Sequence, residues 1–116
     1  MFPLSGPRVR LTLEDGDTGS VSLTGGGRCG IFHLARDDRT LMIECLSIDE
    51  EARGYGLGSE AAHLLRDAAL ATGWSRLRAW APADRGLAVY FWSRMGLRPL
   101  FGEHPGGGIW FERVLG

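Results

Sequence analysis

The sequence predicts one α+β domain built on a mixed, mostly antiparallel sheet. Three observations predict it. Short alternating segments with tight turns fill the chain up to Ile48. A helical apolar face follows a glycine-rich turn, with Leu57, Ala61, Leu64, Leu65, Ala68 and Thr72 at steps of three and four. A strand, a second helical stretch and a closing hairpin then complete the chain. No repeat or linker interrupts this order, so residues 1–116 read as a single domain, long enough for one core.

The elements follow in order. Residues 1–7, with two prolines and a glycine, read as a loose end. Arg8 to Leu13 alternates as a half-buried strand, and Glu14-Asp15-Gly16-Asp17 carries Asp-Gly turn chemistry. Ser20 to Leu23 and Cys29 to Leu34 are the next strands, separated by Thr24-Gly25-Gly26-Gly27. After the turn Asp37-Asp38-Arg39 comes Thr40 to Ile48, an apolar run expected to be central and covered on both faces. Short connections make these four an antiparallel meander. The first helix runs from about Gly58, with Gly73 just past its end. Arg76 to Ala81 is a short strand. Arg85 to Met95 is a helix with Asp84 as N-cap and Gly96 as its stop. Leu97 to Phe101 and Ile109 to Val114 form the hairpin.

Composition excludes several classes. A net charge of −1 with 23% charged residues argues against a nucleic-acid-coating protein. No apolar run approaches the roughly 18 residues of a membrane span, and the first residues lack a signal peptide's basic end and apolar stretch. Cys29 and Cys45 lie far apart without Cys-x-x-Cys spacing, which reads as two free thiols in a reducing cytosol. His33, His63 and His104 share no ligand spacing with either cysteine, so no zinc site is expected. No serine sits in a Gly-x-Ser-x-Gly elbow.

The chemistry centres on Glu51-Ala52-Arg53-Gly54-Tyr55-Gly56-Leu57-Gly58-Ser59, between an apolar strand and a helix. Three glycines in five positions bring backbone close to any ligand. N–H groups then face outward at a helix N-terminus, which suits a phosphate. Neither Gly-x-Gly-x-x-Gly nor the Gly-Lys-Ser/Thr end of a P-loop is present. A tight turn without a ligand is the competing reading of the glycines alone.

The flanks resemble the GNAT family of N-acetyltransferases. Its hallmark Gln/Arg-x-x-Gly-x-Gly/Ala is met by Arg53 to Gly58, and Glu51 to Gly56 gives Gly-x-Gly one step earlier with Glu first. Glu44 to Asp49 resembles the family's fourth strand. Leu87 to Pro99 resembles its last helix and following strand, Ala-x-x-Phe-Tyr-Glu-x-x-Gly-Phe. The resemblance covers about residues 40–114 and is thinnest before them, where most members carry two helices that wall the acceptor pocket. This chain shows no amphipathic helical stretch before residue 57, so the acceptor side is expected to be open or closed by a second subunit.

The resemblance implies transfer of an acetyl group from acetyl-coenzyme A to a small-molecule or polypeptide amine. It implies that Arg53, Gly54, Tyr55, Gly56, Leu57, Gly58 and Ser59 hold the pyrophosphate. The pantetheine arm then pairs with Leu46, Ser47 and Ile48, where that strand splays from Arg78 to Trp80, and a backbone N–H there faces the thioester oxygen. Arg85 falls where members often have an asparagine that touches pantetheine. The residues themselves offer Glu44 as base, because a carboxylate within an apolar strand is costly to bury without a purpose. Its alternatives are a strand-end residue reaching solvent, or a partner of an arginine such as Arg78. Asp49, Glu50 and Glu51 read as solvated or paired with Arg53, and Ser59 as a phosphate donor, a helix cap, or both. Many members protonate the departing sulfur with a tyrosine four residues before the helix-ending glycine. Trp92 stands there, while Tyr90 lies about 200° around the helix. Indole is no usable acid, which keeps open a coenzyme A-binding module that performs no transfer.

Overall fold

A computed structural model of the chain describes residues 1–102 and 105–116; His104 lies outside them. The described residues form one eight-stranded sheet and two α-helices. The strands are β1 (Leu4–Ser5), β2 (Val9–Asp15), β3 (Thr18–Leu23), β4 (Arg28–Asp37), β5 (Thr40–Ile48), β6 (Arg76–Ala81), β7 (Arg98–Leu100) and β8 (Ile109–Val114). A 3₁₀ turn at Glu50–Ala52 precedes α1 (Leu57–Ala71), and α2 (Gly86–Arg94) follows β6. Strand order is β1-β2-β3-β4-β5-β6-β8-β7. The pairs from β1 to β5 are antiparallel, β5 and β6 are parallel, and β8 runs antiparallel to both β6 and β7. This is the expected mixed sheet. One expectation falls at the N-terminus: Leu4 and Ser5 pair with Leu11 and Arg10 instead of hanging loose.

The connections decide where the helices lie. From β5 to β6 and from β6 to β7 the chain makes two parallel crossovers, both stepping the same way along the sheet. Right-handed crossovers of this kind place both helices on one face. A single core accordingly joins Leu57, Ala61, Leu65 and Ala69 of α1 to Trp92 of α2, over Leu41, Ile43, Leu77, Ala79 and Phe111. The face of α1 is turned slightly from the expected one. Ala62 and Ala69 are buried, whereas Thr72 is exposed and its hydroxyl donates to the Ala68 carbonyl at 2.7 Å.

No helix among the described residues covers the other face. β5 is central, as its apolar run predicts, but it is covered on one side only. Leu41 and Ile43 are buried, while Glu44 and Cys45 are exposed. Glu44 faces outward by alternation from Ile43, and a bulge brings Cys45 out beside it: Leu34 pairs with Ile43 and His33 with Cys45, so Glu44 is the extra residue on β5. A bulge of this kind bends its strand and sharpens the local twist.

Both helices end on left-handed glycines. Gly73 (φ 85°) donates to Leu70 and Trp74 to Ala69; Gly96 (φ 87°) donates to Ser93 and Leu97 to Trp92. Each is a Schellman closure that satisfies carbonyls the helix leaves open. The start of α2 differs from the expectation. Its N-cap is Arg85, not Asp84, and no side chain caps it. Backbone does the work instead: Arg85 N–H donates to Pro82 and Ala88 N–H to Arg85.

Candidate functional site

The end of β5 feeds directly into the glycine loop. Gly54 (φ 90°) and Gly56 (φ 78°) adopt the left-handed conformation that a side chain disfavours. Gly56 is the N-cap of α1, with no side-chain cap, so Ser59 lies inside the first turn and does not cap the helix. The first bond closing the helix is Glu60 N–H to the Gly56 carbonyl, at 3.1 Å. The N–H groups of Leu57, Gly58 and Ser59 therefore find no acceptor among the described residues. They converge at the positive end of the helix dipole, a donor set that fits a phosphate. The Leu57 side chain is buried beneath them and anchors the turn. Gly58 backs against Ile48 and Phe91, whose atoms would lie 3.5 and 3.7 Å from an added Cβ.

The loop is held from both ends. Arg53 Nε donates to the Ile48 carbonyl at 2.8 Å, so the guanidinium staples loop to strand. The expected pairing with Asp49, Glu50 or Glu51 does not form. The second hold comes from the residue just before β2 and left no mark in the sequence. Arg8 donates to the carbonyls of Tyr55 and Gly56. Glu60 in turn accepts the N–H groups of Arg8 and Val9, at 2.7 and 2.8 Å, and Arg8 Nε at 2.9 Å. Burial alone would raise the Glu60 carboxyl, but these donors and the guanidinium charge outweigh it and hold the group below its ordinary value. Pro7, Arg8, Ser59, His63 and Asp67 line a groove of about 420 Å³ alongside.

Next to the loop the sheet opens. The parallel ladder runs from Thr40–Arg76 to Ile43–Ala79 and stops. Beyond it Leu46, Ser47 and Ile48 pair with β4 alone. The expected splay is present, with one correction. Arg78 and Ala79 still belong to the ladder, so its β6 wall begins at Trp80. Trp80 itself packs on Trp110 across the hairpin, with ring centroids 5.1 Å apart.

Glu44 lies where the ladder ends, but the burial that singled it out is absent. Its side chain is 44% exposed. It also does not pair with Arg78, which donates to Glu112 at 2.7 Å. Its partner is His33, with Nε2 3.2 Å from Oε1. The other ring nitrogen, Nδ1, lies 2.6 Å from the Thr18 hydroxyl. Sequence reasoning missed His33 and Thr18 because strand register, not spacing, brings them to Glu44. On α2, Trp92 is buried and edge-on to Phe91 (4.8 Å), while Tyr90 points away and is 69% exposed. The side chain of Arg85 is exposed at the start of α2, and no described contact ties it to the loop or the splay.

Other chemistry is not supported. Burial, then the charge of Asp49, pushes the Cys29 thiol up, away from a reactive thiolate. The described residues hold no group of three potential metal ligands, and no helix is long and apolar enough to cross a membrane.

Free N–H groups at a helix N-terminus beside a pair of strands that part are a geometry suited to an extended ligand with an anionic end. The profile of the Acetyltransferase (GNAT) family matches residues 6–97, and the chain belongs to that family, whose acyl donor is acetyl-coenzyme A. No curated protein matches the chain. Among solved structures, a GNAT-family acetyltransferase from Bacillus anthracis is similar over 97% of this chain and 98% of its own, with TM-score 0.81 and 11% identity. A Bacillus subtilis acetyltransferase in complex with CoA is similar over 93% and 98%, with TM-score 0.74 and 12% identity. The ribosomal-protein-S18-alanine N-acetyltransferase from Escherichia coli is similar over 96% and 72%, with TM-score 0.71 and 14% identity. At these identities the likeness is one of fold.

Glu60 gives a pH-dependent test of the clamp. Its carboxyl is lowered in the folded chain, so the stability it adds is present above the ordinary value of 4.5 and is lost as pH falls through the lowered value. Urea unfolding should place Glu60→Gln below wild type near neutrality and bring the two together in acid. A gap that persists unchanged at the lowest pH where both fold would show that the carboxylate's charge is not what closes the clamp.

Proposed function

We propose that the protein moves an acetyl group from acetyl-coenzyme A to a primary amine by direct attack. One juxtaposition carries this reading: the free N–H donors of Leu57, Gly58 and Ser59 stand beside the opening of the β5–β6 ladder. Bound acetyl-coenzyme A would supply an activated thioester. The loop Arg53–Ser59 holds the pyrophosphate on backbone N–H groups. The β6-facing edge of Leu46, Ser47 and Ile48 takes the pantetheine amides as a strand would. Glu44, exposed on the outer face, accepts the proton that the amine must lose. Arg85 has no such support and is placed by family likeness alone. The free thiols of Cys29 and Cys45 go with a cytoplasmic setting.

The acceptor approaches the uncovered face of the sheet. Ile31 is exposed there, and Trp80 and Trp110 are half-buried. A homodimer that covers this surface is the expected form. Light scattering that finds a monomer at every accessible concentration would instead favour an open groove for a polypeptide amine.

A second reading, a coenzyme A-binding module without transfer, is favoured by Trp92. The residue at the family's tyrosine position is an indole packed in the core, so sulfur has no phenol to take a proton from there. In the transfer reading the thiol leaves as thiolate and takes its proton from water.

Two experiments test the assignment. Coenzyme A should raise the melting temperature, and Ser59→Asp should abolish the rise. The new carboxylate sits in the first turn of α1, where it favours the helix but repels phosphate, so fold and binding separate. A shift equal to wild type would refute the loop assignment.

The second experiment measures thiol release from acetyl-coenzyme A across a panel of amines. Glu44→Gln should lower turnover at neutral pH by about 10²-fold, with coenzyme A affinity kept and partial recovery at high pH where free amine is abundant. Trp92→Phe should cost little. Glu44→Gln matching wild type at every pH removes Glu44 as base. Tight coenzyme A binding with no release for any amine favours the non-catalytic module.

A further inference from the structure

On the uncovered face, three side chains from neighbouring strands stand in one line of contacts, a hydrogen bond followed by an ion-pair contact. Thr18 of β3 meets His33 Nδ1 at 2.6 Å, and His33 Nε2 meets Glu44 Oε1 of β5 at 3.2 Å. Register builds it: Thr18 is the ladder partner of His33, and the bulge sets Glu44 against the imidazole. Chemistry orders the protons. A carboxylate only accepts, so the tautomer that suits this contact carries the ring proton on Nε2, toward Glu44. In the neutral ring Nδ1 is then the acceptor, and Thr18 O–H donates to it.

We propose that His33, itself held by Thr18, is the positioning residue that aims Glu44 as base in acyl transfer. The inference rests on the transfer reading above. Glu44 is exposed, and an unheld carboxylate on a bare sheet samples many rotamers. The imidazole stands against one oxygen, Oε1, and leaves Oε2 without a partner among the described residues. In the step, Oε2 takes the amine proton as the nitrogen lone pair forms the C–N bond. The C–S bond breaks with its electron pair on sulfur, and water later removes the proton from Glu44. His33 keeps its own proton throughout and holds the carboxylate in place.

The line admits another assignment, with Thr18 as nucleophile and His33 as its base. Strand order argues against it. Thr18 lies two strands from β5, roughly 10 Å from the opening at ordinary strand spacing. The charged groups nearby are otherwise engaged. Arg36 pairs with Asp17 at 3.1 Å, and Arg78 is held by Glu112. Cys45 stands across the ladder from His33.

The test uses the thiol-release assay with acetyl-coenzyme A and the amine panel, together with ¹⁵N spectra of the histidine rings. His33 is nearly half exposed, so its variants should fold. His33→Ala should lower kcat about tenfold with KM for acetyl-coenzyme A unchanged. His33→Gln, which restores an N–H donor toward Glu44, should recover most of that loss, and Thr18→Val should cost less than His33→Ala. In the free protein His33 should carry its proton on Nε2, and Glu44→Gln should remove that preference. A wild-type kcat in His33→Ala, a glutamine no better than alanine, or a proton resting on Nδ1 overturns the positioning role while transfer stands. Wild type releasing no thiol with any amine overturns the transfer reading, and this role with it.

Discussion

The site depends on one extra residue in a strand. Glu44 interrupts the register between β4 and β5, and close to that point the parallel ladder to β6 ends at Ile43 and Ala79. A bulge bends its strand and increases its twist. The bend accounts for two features together. It swings the last residues of β5 off β6 and leaves Leu46 to Ile48 with an open edge. Glu44 follows the inward Ile43 and lies on the outer face by alternation alone, whereas without the bulge Cys45 and the residues after it would exchange faces.

The second constraint is long-range. A left-handed glycine loop has few contacts of its own, and the exposed stretch Arg53–Gly56 would be costly to order by itself. Arg53 ties it to the strand before, and Arg8 ties it to a strand about fifty residues earlier. Glu60 completes the clamp from within the first turn of α1. The carbonyls of the loop are thus taken up by cations, and its N–H groups are left facing the other way. The cradle is therefore set by the N-terminal strand as much as by the glycines.

The helices on one face leave the other to the sheet's own side chains. Such a face has to be polar or covered. Here it carries both kinds of residue, with Thr18, His33, Glu44 and Glu112 beside the half-buried tryptophans Trp80 and Trp110. In the proposed transfer, chemistry and acceptor recognition share this surface. On the helical side Trp92 fills core space, which fixes α2 firmly but removes it from proton transfer.

The sequence by itself determined the element order, the glycine loop and the helix stops. These are local properties: period-two and period-3.6 patterns, glycine's access to positive φ, and a helix end that must satisfy its own carbonyls. Gly54, Gly56, Gly73 and Gly96 are all left-handed for that reason. What the sequence did not show depends on register and distance. The apolar run of β5 looked covered on both sides because periodicity cannot reveal that no helix lies over one of them. Glu44 was legible as unusual but not as exposed, since one strand's pattern cannot show that its outer face is bare. Arg8 with Glu60, and Thr18 with His33, are joined only when the sheet closes, so tertiary structure alone decided that one pair holds the loop and the other stands beside Glu44.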